Sequence, residues 1–217
     1  LSLEGNRLAA LPDTLFWGTP RLLDLSLARN RLETVPEGVF ANLSEVQSLV
    51  LSHNSLARLP TGAFRGLSSL KALRLSHNNL SSLAPGLLAG LPSLLRELDL
   101  GRNSLITLPD GIFRNLTSLS KLILSQNNLT ALPRGAFTGL SKLSDLQLDT
   151  NQLSALDSKV FASLTNLKTL NLRKNQLENI PHGLLDPLER LSSLYLSGNP
   201  WRCDCNLFYL HSWIQGN

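Results

Sequence analysis

The sequence contains no methionine and only two cysteines, and it has no run of about eighteen consecutive apolar residues. Without such a run, it predicts no membrane-spanning helix. Because it lacks an initiating methionine and begins inside a strand pattern at Leu1, we expect it to be a mature or truncated fragment. Two cysteines, without further cysteine or histidine ligands at suitable spacing, are too few for a structural zinc site.

Catalytic motifs are lacking as well. The sequence has no G-x-S-x-G, no H-E-x-x-H and no glycine-rich phosphate-binding loop with a lysine. We therefore expect no enzyme activity and no cofactor.

The chain is basic, but it has no basic patch. Its net charge is +4 and its pI is about 9.4, yet the basic residues are scattered between acidic ones. No stretch interleaves basic with aromatic residues, as nucleic-acid-binding domains often do. The sequence therefore predicts no nucleic-acid partner.

A regular repeat accounts for most of the residues that are present. Its clearest mark is an asparagine that recurs every 24 residues, with one spacing of 25 between Asn78 and Asn103. The series is Asn6, Asn30, Asn54, Asn78, Asn103, Asn127, Asn151, Asn175 and Asn199. Self-similarity at this period, with the pattern L-x-x-L-x-L-x-x-N-x-L, is the sequence signature of a leucine-rich repeat solenoid.

The physical role of each repeated position follows from its neighbours. Leu122 and Leu124 alternate with outward residues, so each repeat predicts a half-buried strand, and stacked parallel strands share one core. The asparagine can donate to and accept from backbone groups where the chain leaves the sheet, and the nine should form a ladder. A phenylalanine ten residues later predicts a buried aromatic spine. About a dozen residues per return leave room only for 3₁₀ or irregular arcs.

The predicted fold is thus an α/β solenoid of the horseshoe type, with a parallel β-sheet on its concave face and short convex arcs. Residues 1–199 should form nine strands. One extra residue precedes the strand near Leu94 and Leu95, where we expect a bulge or a local change of curvature.

The end of the chain departs from the repeat. Trp201 replaces a leucine, and Leu207, Leu210 and Ile214 recur at helical spacing, with Asp204 or Asn206 as the helix cap. The N-P-W-x-C-D-C motif at 199–205, together with L-P-x-G-x-F arcs such as residues 132–137, resembles extracellular leucine-rich repeat proteins with a cysteine-rich C-terminal cap. Residues 200–217 would be the beginning of that cap.

This resemblance implies several properties. Cys203 and Cys205 would pair with later cysteines, as in that family, and the compartment would be extracellular, secreted or at the cell surface. A bond between the two would close a strained ring across one residue. Sequons at Asn42, Asn79, Asn115 and Asn128 are compatible with secretion and glycosylation. The implied function is non-catalytic binding of a protein or other macromolecular ligand; the alternative is a regulatory or inhibitory subunit that binds a secreted enzyme.

The candidate binding surface is the outward face of the sheet. Its C-terminal half offers an aliphatic side chain, amides, both charge signs and a tyrosine, which suits a protein interface. The predicted ligand-binding residues are Ile123, Gln147, Asp149, Asn171, Arg173 and Tyr195. The alternative is that outward residues only neutralise one another across strands, as Arg74 with Asp99 would.

Two histidines are the best metal candidate. His53 and His77 occupy the same register in adjacent repeats and should lie side by side. Arg29 and Arg102 flank the two histidines in the same column, and their positive charge opposes the binding of a cation. No third ligand is evident. We therefore expect no metal site, and two exposed polar residues instead.

Overall fold

A computed structural model of the protein describes residues 1–216, and Asn217, the last residue of the predicted cap, lies outside the described residues. The sheet has eight parallel three-residue strands, in chain order, and each pairs with the next. The strands are β1 Asp24–Ser26, β2 Ser48–Val50, β3 Ala72–Arg74, β4 Glu97–Asp99, β5 Lys121–Ile123, β6 Asp145–Gln147, β7 Thr169–Asn171 and β8 Ser193–Tyr195. The central leucines are in register, as Leu122 and Leu146 show. The predicted solenoid is confirmed.

The prediction of nine strands is wrong by one. The first turn contributes only an isolated bridge between Ser2 and Ser26, supported by a hydrogen bond of 2.9 Å from Leu3 N to Ser26 O. In the register of this bridge only Leu1 and Ser2 lie opposite β1 residues, Leu25 and Ser26, so this turn lacks the third residue of a regular strand.

The aromatic spine lies at the centre of the core as predicted. The six spine phenylalanines are at most 2% exposed: Phe16, Phe40, Phe64, Phe113, Phe137 and Phe161. Ring centroids of Phe16 and Phe40 are 6.0 Å apart. Leu88 and Leu185 take the same position in two turns and are equally buried. Rings of adjacent turns therefore stack where both turns carry phenylalanine, as Phe113, Phe137 and Phe161 do.

The convex arcs are short and mostly irregular. In residues 1–216 one of them contains a regular element, the 3₁₀ helix Leu87–Gly90. The extra residue of the long repeat follows this helix: Leu94 is exposed and Leu95 is buried. The pairing of β3 with β4 keeps its register, Ala72 opposite Glu97. The insertion is therefore absorbed in the arc, and the bulge that we expected does not disturb the sheet ladder.

A helix, α1 (Asn206–Gly216), closes the C-terminal end of the core. Of the two possible caps, Asp204 performs this role, since its Oδ1 accepts a hydrogen bond of 3.0 Å from the backbone N of Asn206. Tyr209, Leu210 and Trp213 pack against the core, as Trp201 also does. Of the three residues at helical spacing, Leu207 and Ile214 are 42% and 57% exposed.

Tyr209 explains this orientation of α1. Its hydroxyl donates to Asp186 Oδ1 at 2.8 Å and accepts from the backbone N of Leu185 at 2.8 Å. Its ring lies edge-on to His182, with centroids 5.0 Å apart. The phenol therefore satisfies a backbone donor of the last arc and fixes the rotation of the helix about its axis.

Ionisation of Tyr209 should weaken this attachment. Burial, reinforced by the hydrogen bond to Asp186, raises the pKa of Tyr209 to about 12. Because the pKa in the folded protein exceeds the ordinary value of about 10, the stabilisation is complete below pH 10 and is lost as the pH rises towards 12. We expect a late phase in a tyrosinate absorbance titration that is absent from Tyr209→Phe and retained in Tyr195→Phe. A late phase that survives in Tyr209→Phe would contradict this assignment.

Candidate ligand-binding surface

The concave face carries one outward side chain between each pair of buried leucines. In β2 to β7 the three residues of each strand are half-buried, buried and half-buried in turn, as the alternation predicts. The strand register aligns these outward residues in one column: Ser26, Val50, Arg74, Asp99, Ile123, Gln147, Asn171 and Tyr195.

A chain of hydrogen bonds links the C-terminal part of this column. Gln147 Nε2 donates to Asp145 Oδ1 at 2.6 Å, and Gln147 Oε1 accepts from Asn171 Nδ2 at 2.9 Å. Asn171 Oδ1 in turn accepts from the backbone N of Arg173 at 3.1 Å. These bonds hold the two amide side chains in one arrangement.

Arg173 and Tyr195 extend this chain to the last strand. The guanidinium carbon of Arg173 lies 4.4 Å from the centroid of the Tyr195 ring, within the range of a cation–π interaction. The Tyr195 side chain is nonetheless 38% exposed. The pair therefore offers a planar, partly ordered surface at the edge of the network.

Asp149 and Ile123 lie beside the network rather than in it. Asp149 Oδ1 accepts from the Ser125 hydroxyl, and its Oδ2 accepts from Thr150 Oγ1 at 3.2 Å. Ile123 borders Gly101, where an added Cβ would lie 3.3 Å from Ile123 Cγ2. The structure thus connects Gln147, Asn171, Arg173 and Tyr195, and places Asp149 and Ile123 at their margin.

The N-terminal half of the face contains a different ion pair from the one we expected. Arg74 Nη2 lies 3.2 Å from Glu97 Oε2, so Arg74 pairs with Glu97 and not with Asp99. Asp99 Oδ1 instead accepts from the backbone N of Gly101 at 2.9 Å. The long arginine reaches the diagonal neighbour on β4, while the short aspartate closes a local turn.

The two histidines lie side by side as predicted. Their ring centroids are 3.9 Å apart and the ring planes make an angle of 20°. Burial, followed by the charges of His53 and Arg102, holds the pKa of His77 below its ordinary value. Among the described residues, no group of three or more histidine, cysteine, aspartate or glutamate side chains could hold a metal ion.

Sequence analysis missed the backbone conformation of the histidine column. Seven non-glycine residues there have φ between 51° and 57°, in the left-handed region: Arg29, His53, His77, Arg102, Gln126, Thr150 and Lys174. Gly5 and Gly198 occupy the same place in the first and last turns with φ of 75° and 78°. These two glycines are the clearest sequence signal of the conformation.

The sites of covalent modification that we predicted lie at the surface. Asn42, Asn79, Asn115 and Asn128 are all exposed. Cys203 and Cys205 are exposed and unpaired. Their glycosylation and disulfide pairing stay predictions. In residues 1–216 no helix is both long enough and apolar enough to cross a membrane.

Solved structures with the same architecture bind macromolecules. A chain of the Toll–Spatzle complex of Drosophila is 29% identical, with a TM-score of 0.88; the match covers 100% of this chain and 29% of that one. A chain of the TLR13–ssRNA13 complex is 30% identical, with a TM-score of 0.76, and the match covers 90% of this chain and 32% of that one. This chain therefore spans about a third of each neighbour or less. A search of curated proteins finds no match.

A comparison with family models gives the final evidence. The family described as leucine rich repeat matches residues 1–56, 44–95, 93–153 and 141–200, which together include all eight strands. The repeated strand, the asparagine turn and the buried spine are the features of that repeat. The chain therefore belongs to the leucine-rich repeat family.

Proposed function

We propose that this chain is a non-catalytic, extracellular binding module, and that the C-terminal half of its concave sheet binds a protein. The observation that carries this proposal is the connected surface formed by Gln147, Asn171, Arg173 and Tyr195. Arginine and tyrosine are enriched in interfaces because they supply large contact areas and hydrogen bonds.

The size of the sheet agrees with a macromolecular partner. Eight strands spaced by about 4.8 Å make a face on the order of 34 Å long, close to the span of a standard protein interface. The Toll–Spatzle neighbour is a complex between proteins, which supports this ligand class. No cofactor is required for binding of this kind.

The expectation that nucleic acid is excluded loses its support. It rested on the scattered basic residues, but the TLR13 neighbour, with 30% identity, is a complex with single-stranded RNA. RNA is therefore a ligand class that binding experiments on this chain should include.

The alternative function is a regulatory, stabilising or inhibitory subunit that binds a secreted enzyme. It uses the same concave surface and differs only in the nature of the partner. In either case we propose that residues 1–199 are the repeats and 200–217 begin a cap whose Cys203 and Cys205 pair with later cysteines. Asn42, Asn79, Asn115 and Asn128 are the proposed glycosylation sites of a secreted or cell-surface protein.

Substitution of Arg173 or Tyr195 by alanine should weaken binding. We expect a loss of about 1–3 kcal/mol for each, because truncation removes contact area and the cation–π pair at once. The matched control is Ser26→Ala on β1, in the same outward column, which should change binding far less. Immobilised wild-type and variant chains, incubated with plasma, would be compared by quantitative mass spectrometry of the retained proteins.

The same experiment separates the two functions. A hydrolase retained in stoichiometric amount by wild type and lost from Tyr195→Ala would favour the regulatory subunit. A receptor, a growth factor or a microbial protein with the same dependence would favour the binding module. If the sensitive positions were on convex arcs, at Arg65, Arg114 or Arg134, the concave surface would not be the binding site.

A further inference from the structure

Four basic side chains, two arginines and two histidines, form a row along the margin of the concave face, at a distance in sequence from the surface proposed above. Arg29, His53, His77 and Arg102 follow one another at one residue per turn. With turns spaced by about 4.8 Å, the row is about 15 Å long. We call these four residues the cationic row.

The backbone holds the row in a fixed register. Each of its members has φ between 51° and 57°, and each donates its N–H to a carbonyl of the next turn. Arg29 N and His53 N, for example, donate to Ser52 O and Ser76 O, both at 3.0 Å. Because the four residues share this left-handed conformation, their side chains leave the backbone at equivalent points of successive turns. The cationic row therefore places one basic side chain in each of four successive turns of the solenoid.

The two imidazoles at its centre are close enough to influence each other's protonation. His77 Nδ1 is buried without a hydrogen-bond partner in the described residues, so a proton placed there has no acceptor. Burial, His53, Arg102 and Arg29 all lower the pKa of His77, and Asp99 raises it. Protonation of both rings thus concentrates positive charge that an anion would neutralise.

Two carboxylates lie near the cationic row, and neither makes its basic side chains inaccessible to a ligand. Glu4 Oε1 lies 3.4 Å from Arg29 Nε, in a pair whose side chains are 49% and 60% exposed. Exposed pairs of this kind are weak and exchange readily with solvent or ligand. Asp99 lies near His77, but its Oδ1 already accepts from Gly101 N. The four basic side chains therefore remain available to a ligand.

We infer that the cationic row binds a linear polyanion, specifically a sulfated polysaccharide. Two arginines that flank a pair of imidazoles match a polymer that carries anionic groups at intervals, and such binding depends on electrostatic attraction that salt screens. Single-stranded nucleic acid would also require aromatic faces on which its bases can stack. The facing sides of the His53 and His77 rings contact each other at 3.9 Å, which leaves them closed to a base.

The binding should strengthen as the pH falls. An anion near His77 stabilises its charged form, so the pKa of His77 is higher in the complex than in the free protein, and binding takes up protons. We expect the affinity to rise by about tenfold between pH 7.5 and pH 5.5. The probe is a heparin-derived dodecasaccharide, measured by calorimetry at low ionic strength.

The variants use substitutions that this backbone already accepts. Gln126 and Thr150 occupy the same left-handed position in other turns, so glutamine is a tolerated side chain there. We expect the double variant His53→Gln, His77→Gln to lose the pH dependence. Arg29→Gln with Arg102→Gln should weaken binding about tenfold at both pH values. Lys174→Gln, which removes one charge from the same column three turns beyond Arg102, is the matched control and should change affinity less than about twofold.

The outcomes decide the proposal. Binding that strengthens at low pH, depends on both arginines and is unaffected by Lys174→Gln supports it, as does a rise in the pKa of His77 followed by NMR on addition of the dodecasaccharide. Affinity that is independent of pH, or equally sensitive to Lys174→Gln, overturns the site. Tighter binding of a uridylate dodecamer than of the dodecasaccharide overturns the ligand class. Because Arg173 and Tyr195 are unchanged throughout, failure here leaves the proposed concave function untouched.

Discussion

Replacement of Phe137 by alanine is expected to lower the free energy of unfolding by about 3–5 kcal/mol. The side chain is fully buried, and its ring lies between those of Phe113 and Phe161, with centroids 6.4 Å and 6.1 Å away. Alanine would leave a cavity between two rigid turns, and the neighbouring rings cannot move to fill it without breaking the sheet register. Chemical denaturation followed by circular dichroism would measure the loss.

The chain itself supplies the control for this substitution. Leu88 and Leu185 occupy the spine position in two other turns and are at most 1% exposed. Phe137→Leu should therefore cost less than half as much as Phe137→Ala, because most of the buried volume is kept. Equal losses for the two variants would show that the stacked rings, and not the filled volume, provide the stabilisation.

The sheet and the core could be predicted from the sequence because each depends on a local pattern that recurs. The alternation at Leu122 and Leu124 determines which side of the strand is buried, and the period brings equivalent residues together without any knowledge of the fold. The concave column follows for the same reason. In a repeat, residues that are one period apart in the sequence are therefore neighbours in the structure.

The ends of the solenoid could not be predicted in this way. In the first turn only Leu1 and Ser2 lie in register with strand residues of β1, Leu25 and Ser26, so a three-residue strand like the others does not form there. At the other end, helical spacing predicted the helix but not which of its sides faces the core, because hydrogen bonds of the Tyr209 hydroxyl decide the rotation of α1. Tyr209 follows Leu185 by 24 residues, so the repeat period, continued into the cap, was the better guide.

The partners of individual side chains on the candidate surface also escaped prediction. The column fixed Arg74 and Asp99 as direct neighbours, yet the arginine pairs diagonally with Glu97. Side-chain length decides between direct and diagonal partners, and the outward residues differ in length from turn to turn. The left-handed residues were hidden for a related reason: histidine, which has some preference for this conformation, stands at only two of the seven positions, and inter-turn hydrogen bonds impose the conformation at all of them.

The asparagine ladder gives the second large effect that we expect. Asn127 is 5% exposed, and its Nδ2 donates to the carbonyls of Leu100 and Leu124, both at 3.1 Å. Its Oδ1 accepts from the backbone N of Leu105 at 3.0 Å. A single side chain thus satisfies backbone groups of two successive turns that have no partner in the sheet. This arrangement recurs in eight of the nine predicted asparagines, from Asn30 to Asn199, and Asn6 in the first turn is the exception.

Asn127→Ala should therefore lower the free energy of unfolding by about 2–4 kcal/mol, since it leaves several buried donors and acceptors unpaired. Asn6→Ala is the matched control: Asn6 belongs to the same series, but it is exposed and its side chain makes one bond, of 2.9 Å from Nδ2 to Leu3 O. That variant should lose less than about 0.5 kcal/mol. Thermal or denaturant unfolding of both proteins is the measurement. Equal stabilities for the two variants would mean that the asparagine ladder follows from the fold without contributing to its stability. The expected difference would show that an inner asparagine stabilises the attachment of its turn to the one before.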